Sequence, residues 1–256
     1  PDSEPTPKVD ADDHSVQWNE FGGPAGINLE SKPFANDGAW AFWEGAEGAK
    51  RKNNQVVVGV LDTGIVDNKN LNDNILPGWN FSGENSNTAD ETTSYHGAHV
   101  AGIIAAHGPQ VYGVGQGKTS VKPNIKVLPI KIPKANGMFY ESNVVRGIYW
   151  AIGERVAEVD KNRNPAKVLN MSFGIDDYVT HKETDECSPA VQKAIDKAVE
   201  KNVVIVVAAG NSDAEHDLGS PGGCKNVLRI ASTGPKGLRS FFSNYGEGVS
   251  FAAPGG

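Results

Sequence analysis

A chain of 256 residues with a formal charge of -7 and a pI near 5.4 has room for one large or two modest domains, and its acidic balance argues against nucleic acid as a partner. Its nearest basic cluster, Lys50-Arg51-Lys52, is too short for a phosphate-binding patch and reads as a solvated helix end. The longest apolar run, 203–209, is strand-sized and far short of the ~20 residues of a membrane-crossing helix, and Cys187 and Cys224 are too few for a zinc cage, leaving either one disulfide or two buried thiols.

In chain order, the opening residues are rich in Pro and acid without an apolar period, so residues 1–16 read as an irregular lead-in and 17–256 as the folded domain. The chain starts at Pro1 with no initiator Met or signal pattern, and a processed or trimmed form is expected. Residues 36–49 predict an amphipathic helix with Asp37 as N-cap and Trp40 and Trp43 as core anchors on one face. Next come a strand over 56–61, a helix over 97–106, a strand over 125–132 and a helix over 141–156. A third strand is predicted over 168–173, then a helix over 189–202 with Val191, Ala194, Ile195, Ala198 and Val199 on one stripe, then a fourth strand over 203–209. Strands that are apolar throughout and alternate with helices predict βαβ crossovers: an α/β fold with a mostly parallel sheet covered on both faces.

In such sheets, functional groups gather beyond the carboxyl ends of the strands. Asp62 directly follows the first strand, Ser172-Phe173-Gly174 closes the third, and Gly210-Asn211-Ser212 follows the fourth. The run 95–106 reads as a helix whose first turn carries His96, and Gly97, Ala98, Ala101 and Gly102 are small enough to let that helix lie close to the sheet. An Asp beside a His is the machinery that makes a hydroxyl nucleophilic: the acid orients the ring, and the ring takes the proton. An amide such as that of Asn211 donates to the oxyanion that develops.

Five ordered segments carry a resemblance. Val-Gly-Val-Leu-Asp-Thr-Gly-Ile (58–65), His-Gly-Ala-His-Val-Ala-Gly (96–102), Asn-Met-Ser-Phe-Gly (170–174), Ala-Ala-Gly-Asn-Ser (208–212) and Ala-Ala-Pro-Gly (252–255) are together similar to the subtilisin-like serine proteases, over roughly 17–256. The order Asp, His, Asn, Ser of that family also matches for its first three members. The resemblance implies a three-layer α/β/α sandwich and a serine endopeptidase with Asp62 and His96 as triad members and Asn211 in the oxyanion hole. It further implies that Ser172, Phe173 and Gly174 form an edge pairing with the substrate backbone, and that Ala209 and Gly210 wall the pocket for the residue before the scissile bond. With Cys187 and Cys224, its secreted bacterial branch looks nearest; a disulfide between them, worth about 4 kcal/mol for a loop of that length, favours an extracellular or periplasmic address.

The chain departs from the family at two places. The family's serine lies in a Gly-Thr-Ser segment after Ala-Pro-Gly; neither Ser120, Ser212 nor Ser220 has that setting, so the nucleophile is expected on a missing or separate C-terminal segment. The loop at 107–111 is shorter than the calcium loop of the best-known subtilisins; no cofactor is expected for the chemistry, and calcium only in a structural role. The partners implied are protein or peptide substrates and a C-terminal fragment of the same precursor. The rival reading is an inactive pseudo-protease that binds extended peptides along the Ser172 edge.

Blander readings apply elsewhere. Asp-Thr-Gly also occurs in aspartic proteases, but those need two copies in an all-β setting. His96 and His99 at i, i+3 lack a third metal ligand, so His99 is expected to be packed behind the site. The glycines of 113–118 lead into a strand and read as a turn, not a phosphate loop. His14, His107, His181 and His216 are expected to be solvated.

Overall fold

Seven parallel strands form one sheet in the computed structural model, which describes residues 55–107, 113–115, 125–138, 140–174, 187–215 and 219–256. The lead-in, the tryptophan helix, the basic triplet, His14, His181 and His216 lie outside the described residues. The strands are β1 (Val56–Asp62), β2 (Trp79–Asn80), β3 (Ile125–Lys131), β4 (Val168–Met171), β5 (Val204–Ala208), β6 (Leu228–Thr233) and β7 (Phe251–Pro254), and their spatial order is β2-β3-β1-β4-β5-β6-β7. Helices α1 (His96–Ala105), α2 (Glu141–Ala151) and α3 (Pro189–Glu200) divide between the two faces.

That division follows from the two-residue period of the strands. On β1, Val58 and Val60 pack with Ala101 and Ala105 of α1, whereas Val57 and Leu61 point the other way, into the cluster with Val144 and Ile148 of α2 and Ala194 of α3. The sheet is therefore covered on both faces at its centre, giving the three-layer α/β/α arrangement. The expectation of strands buried throughout fails toward one end: Val204, Leu228 and Phe251 are exposed.

Several predicted boundaries move, each for a local reason. Helix α2 stops at Ala151, not 156, because Gly153 adopts φ +82°, its N–H bonding the Trp150 carbonyl (3.0 Å) and that of Glu154 the Tyr149 carbonyl (2.9 Å). This is the Schellman closure. Helix α3 ends the same way at Glu200, with Asn202 at φ 57° and bonds from Asn202 N to the Val199 carbonyl (2.8 Å) and Val203 N to that of Ala198 (3.1 Å). Val199 is exposed and leaves the apolar stripe. Strand β4 ends at Met171, so Ser172 to Gly174 lie beyond it as irregular chain.

Strands β2, β6 and β7 are additions to the sequence reading. Of the predicted turn at 113–118, residues 113–115 are described, and a Cβ on Gly113 would lie 2.5 Å from the Ala105 amide nitrogen. His107 is half-buried rather than solvated, its N–H donating to the Asn70 carbonyl (2.6 Å).

Candidate active site

The period that sends Val58 and Val60 toward α1 also sends Asp62 there, at the carboxyl end of β1. Its side chain is 4% exposed and lies 2.8 Å through Oδ1, and 3.0 Å through Oδ2, from Nδ1 of His96, the first residue of α1. An ionised carboxylate only accepts, so the proton between them sits on Nδ1 and the neutral ring keeps Nε2 as a base. The His96 ring is 47% exposed, open to anything docking at the sheet's edge. Its pKa is raised above 6.5, chiefly by the hydrogen bond to Asp62, with partial desolvation opposing and the charges of Asp62 and Asp90 adding.

The approach of α1 to β1 depends on the residues after Asp62. Tyr95, which precedes the helix, has φ 50° and makes no side-chain cap. Thr63 takes over: its hydroxyl accepts the Gly97 N–H (2.8 Å) and donates to Asp90 Oδ2 (2.5 Å). Asp90 is fixed in turn by the Thr92 N–H and hydroxyl, at 2.8 and 2.7 Å. A Cβ on Gly97 would meet the Gly64 carbonyl oxygen at 2.4 Å and Asp62 Cβ at 3.1 Å, so the base-bearing helix reaches the acid only because position 97 has no side chain. Gly64, at φ +121°, could not carry one either. From β3, the buried Lys131 straps the same loop, its Nζ donating to the Ala89 carbonyl (2.6 Å) and to Glu91 (2.8 Å).

Of the small residues expected to seat α1, Gly97 and Ala101 are buried against the sheet, but a Cβ on Gly102 would meet nothing within 4 Å. His99 is exposed, not packed behind the site. Ser172 and Phe173 are half-buried and Gly174 exposed, just past β4, where Ser172 Oγ accepts from Asn170 Nδ2 (2.9 Å). Past β5, Ala209 is buried with its N–H on the Ile230 carbonyl (3.0 Å), Gly210 adopts φ +105°, and Asn211 is exposed. Since β4 separates β1 from β5, their tips stand about 10 Å apart. Acid, base, backbone edge and amide thus line one rim of the sheet.

Cys187 and Cys224 are disulfide-bonded, joining the segment before α3 to the turn before β6. Among the described residues, no group of three or more His, Cys, Asp or Glu could hold a metal ion, and no helix is long and apolar enough to cross a membrane. Sequence reasoning missed Thr63, Asp90 and Lys131. Thr63 had a signal, standing between a catalytic-type Asp and a Gly; the others act through contacts distant in sequence.

Comparison with known proteins bears on the family and the fold. A model described as the subtilase family matches residues 53–256. An extracellular basic protease of Dichelobacter nodosus is 37% identical over 231 residues, covering 78% of this chain and 36% of that protein. An extracellular protease of Xanthomonas campestris is 34% identical over 269 residues, covering 94% of this chain and 41% of that protein, so the chain spans about two fifths of the length of these relatives. Subtilisin DY of Bacillus licheniformis is 32% identical over 214 residues, 82% of this chain and 67% of that protein. A solved protease from Pseudoalteromonas arctica superposes with a TM-score of 0.75 at 32% identity, over 94% of this chain and 70% of that one.

Proposed function

The chain belongs to the subtilase family, and from that premise we propose that it carries the acid, the base and the oxyanion donor of a serine endopeptidase. The observation that carries the reading is the His96 Nδ1 to Asp62 Oδ1 hydrogen bond of 2.8 Å at the carboxyl rim of a parallel sheet. Asp62 holds the ring in the tautomer whose Nε2 is free, and stabilises the imidazolium that forms when Nε2 takes a serine proton. His96 then gives that proton to the departing amine of the scissile bond. Asn211 donates to the oxyanion, an interaction worth about a hundred- to a thousandfold in turnover in subtilisin itself.

Ser172 to Gly174 would pair with the substrate backbone, and Ala209 and Gly210 would wall the specificity pocket. Because no serine here has the family's Gly-Thr-Ser setting, the nucleophile would come from a missing or separate C-terminal segment; Ser120 lies outside the described residues, Ser212 is exposed on the amide's own loop, and Ser220 is buried. The chemistry needs no cofactor beyond these side chains, and calcium would serve structure only. Extracellular action on protein or peptide substrates fits the two relatives named extracellular proteases and the disulfide.

The test uses the full-length protein on a chromogenic peptide. Asp62→Asn is expected to lower kcat by about 10⁴-fold through the wrong tautomer, with the thermal midpoint little changed. Labelling by a serine-directed fluorophosphonate should slow in parallel. Turnover at the wild-type rate removes Asp62 from the mechanism.

A further inference from the structure

We propose that Asn244 is the positioning residue of the oxyanion hole, an assignment that rests on the role given to Asn211 above. An oxyanion donor works only within about 2.7–3.1 Å of where the charge will develop, so the loop that presents it must be rigid. Asn211 itself stands exposed on the loop after β5, and the rigidity has to come from its neighbours.

Asn244 supplies it from both sides. Its main-chain N–H donates to the Gly210 carbonyl (3.0 Å), while its side-chain Oδ1 accepts the N–H of Ser212 (2.8 Å) and of Ala214 (3.2 Å). The peptide units flanking Asn211 are thereby fixed by a single residue that is 1% exposed. Gly210 permits the approach: at φ +105°, a Cβ there would lie 2.3 Å from Asn244 Nδ2. Asn244 is in turn held to the sheet through Ser243, whose hydroxyl donates to the Asn244 carbonyl (3.0 Å) and accepts the Ser232 N–H of β6 (2.9 Å).

Two further bonds separate positioning from simple attachment. Asp213 N–H reaches the Phe242 carbonyl (2.9 Å) and Tyr245 N–H the Ala214 carbonyl (3.0 Å), and neither uses the Asn244 side chain. Without that side chain the loop stays joined at 213 and 214 and loosens at 211 and 212, beside the amide. A shift of about 1 Å there is enough for roughly a hundredfold in rate.

A double-mutant cycle in the full-length protein tests this on a chromogenic peptide. Asn244→Ala is expected to lower kcat by 10- to 100-fold, with KM within about twofold, and Asn244→Asp, which keeps the acceptor oxygens, to recover most of the loss. In the Asn211→Ala background, Asn244→Ala should change kcat by less than about threefold, since the positioned group is gone. Loss of the full factor in both backgrounds, or wild-type kcat in Asn244→Ala, overturns the positioning role. Wild-type kcat in Asn211→Ala alone instead overturns the role of Asn211. Should Asn244→Ala not fold, amide exchange on the wild-type protein decides: the Ser212 N–H is expected to be protected well beyond an open loop, and fast exchange there refutes the anchor.

Discussion

At the scale of single residues, the site is an acid made inaccessible and a base left half open. Asp62 is buried, its carboxylate oriented by the Thr63 N–H (2.7 Å) and the His96 ring. The ring's pKa is raised above 6.5 mainly by Asp62, and only the neutral ring can accept a proton. Hydrolysis is therefore expected to rise with pH through a midpoint above 6.5, and in Asp62→Asn the midpoint of the residual rate should move downward, which a pH profile of kcat/KM measures. The stability contribution has the opposite sense: it is fully present below the unfolded value near 6.5 and lost as pH rises through the raised folded value. Because the ring is 47% exposed, solvent screening keeps that contribution small. Asp62, His96 and Asn211 were legible as candidates because each abuts an apolar run whose period fixes where it emerges. Asn244 was not, because its partners lie some thirty residues upstream and only the folded chain brings them together.

At the scale of elements, α1 contains two glycines with opposite consequences. Ala at position 97 would drive Cβ against a backbone carbonyl at 2.4 Å, so its gain of about 1 kcal/mol in helix propensity is outweighed by an overpacking cost of about 1–3 kcal/mol. Gly97→Ala is expected to lower both the denaturation midpoint and kcat, because relief of the clash pulls His96 from Asp62. At Gly102 a Cβ meets nothing within 4 Å, and Gly102→Ala should stabilise by up to about 1 kcal/mol with turnover unchanged; urea titration of the two variants reads the sign directly. The sequence showed both as small residues in a helix, and composition alone could not say which one faced the sheet. It likewise showed β1, β3, β4 and β5 as apolar runs but not β6. There Arg229 interrupts the pattern while bracing the strand, donating to the carbonyls of Gly222, Gly248 (2.8 Å) and Cys224 (3.0 Å). The helix ends were misplaced because the closures at Gly153 and Asn202 depend on single left-handed residues inside otherwise helical composition.

At the scale of the whole molecule, the parallel sheet sets which parts must hold together for the rim to keep its shape. The disulfide ties residues 37 apart, closing α3, β5 and the turn at 219–224 into one loop that contains Asn211. Replacing both cysteines with Ser is expected to cost about 2–4 kcal/mol, seen as a lower denaturant midpoint, and the same shift should appear in the wild type under reductant. A midpoint unmoved in both experiments would show the bridge to be dispensable. The alternation along β1 also bears on how this protein tolerates change in length. Loss of one residue between Val56 and Leu61 would rotate the carboxylate into the oily layer beneath α2 and turn Leu61 toward Ala101 and Ala105 of α1. Natural variation should therefore spare the number of residues in that strand more strictly than their identities.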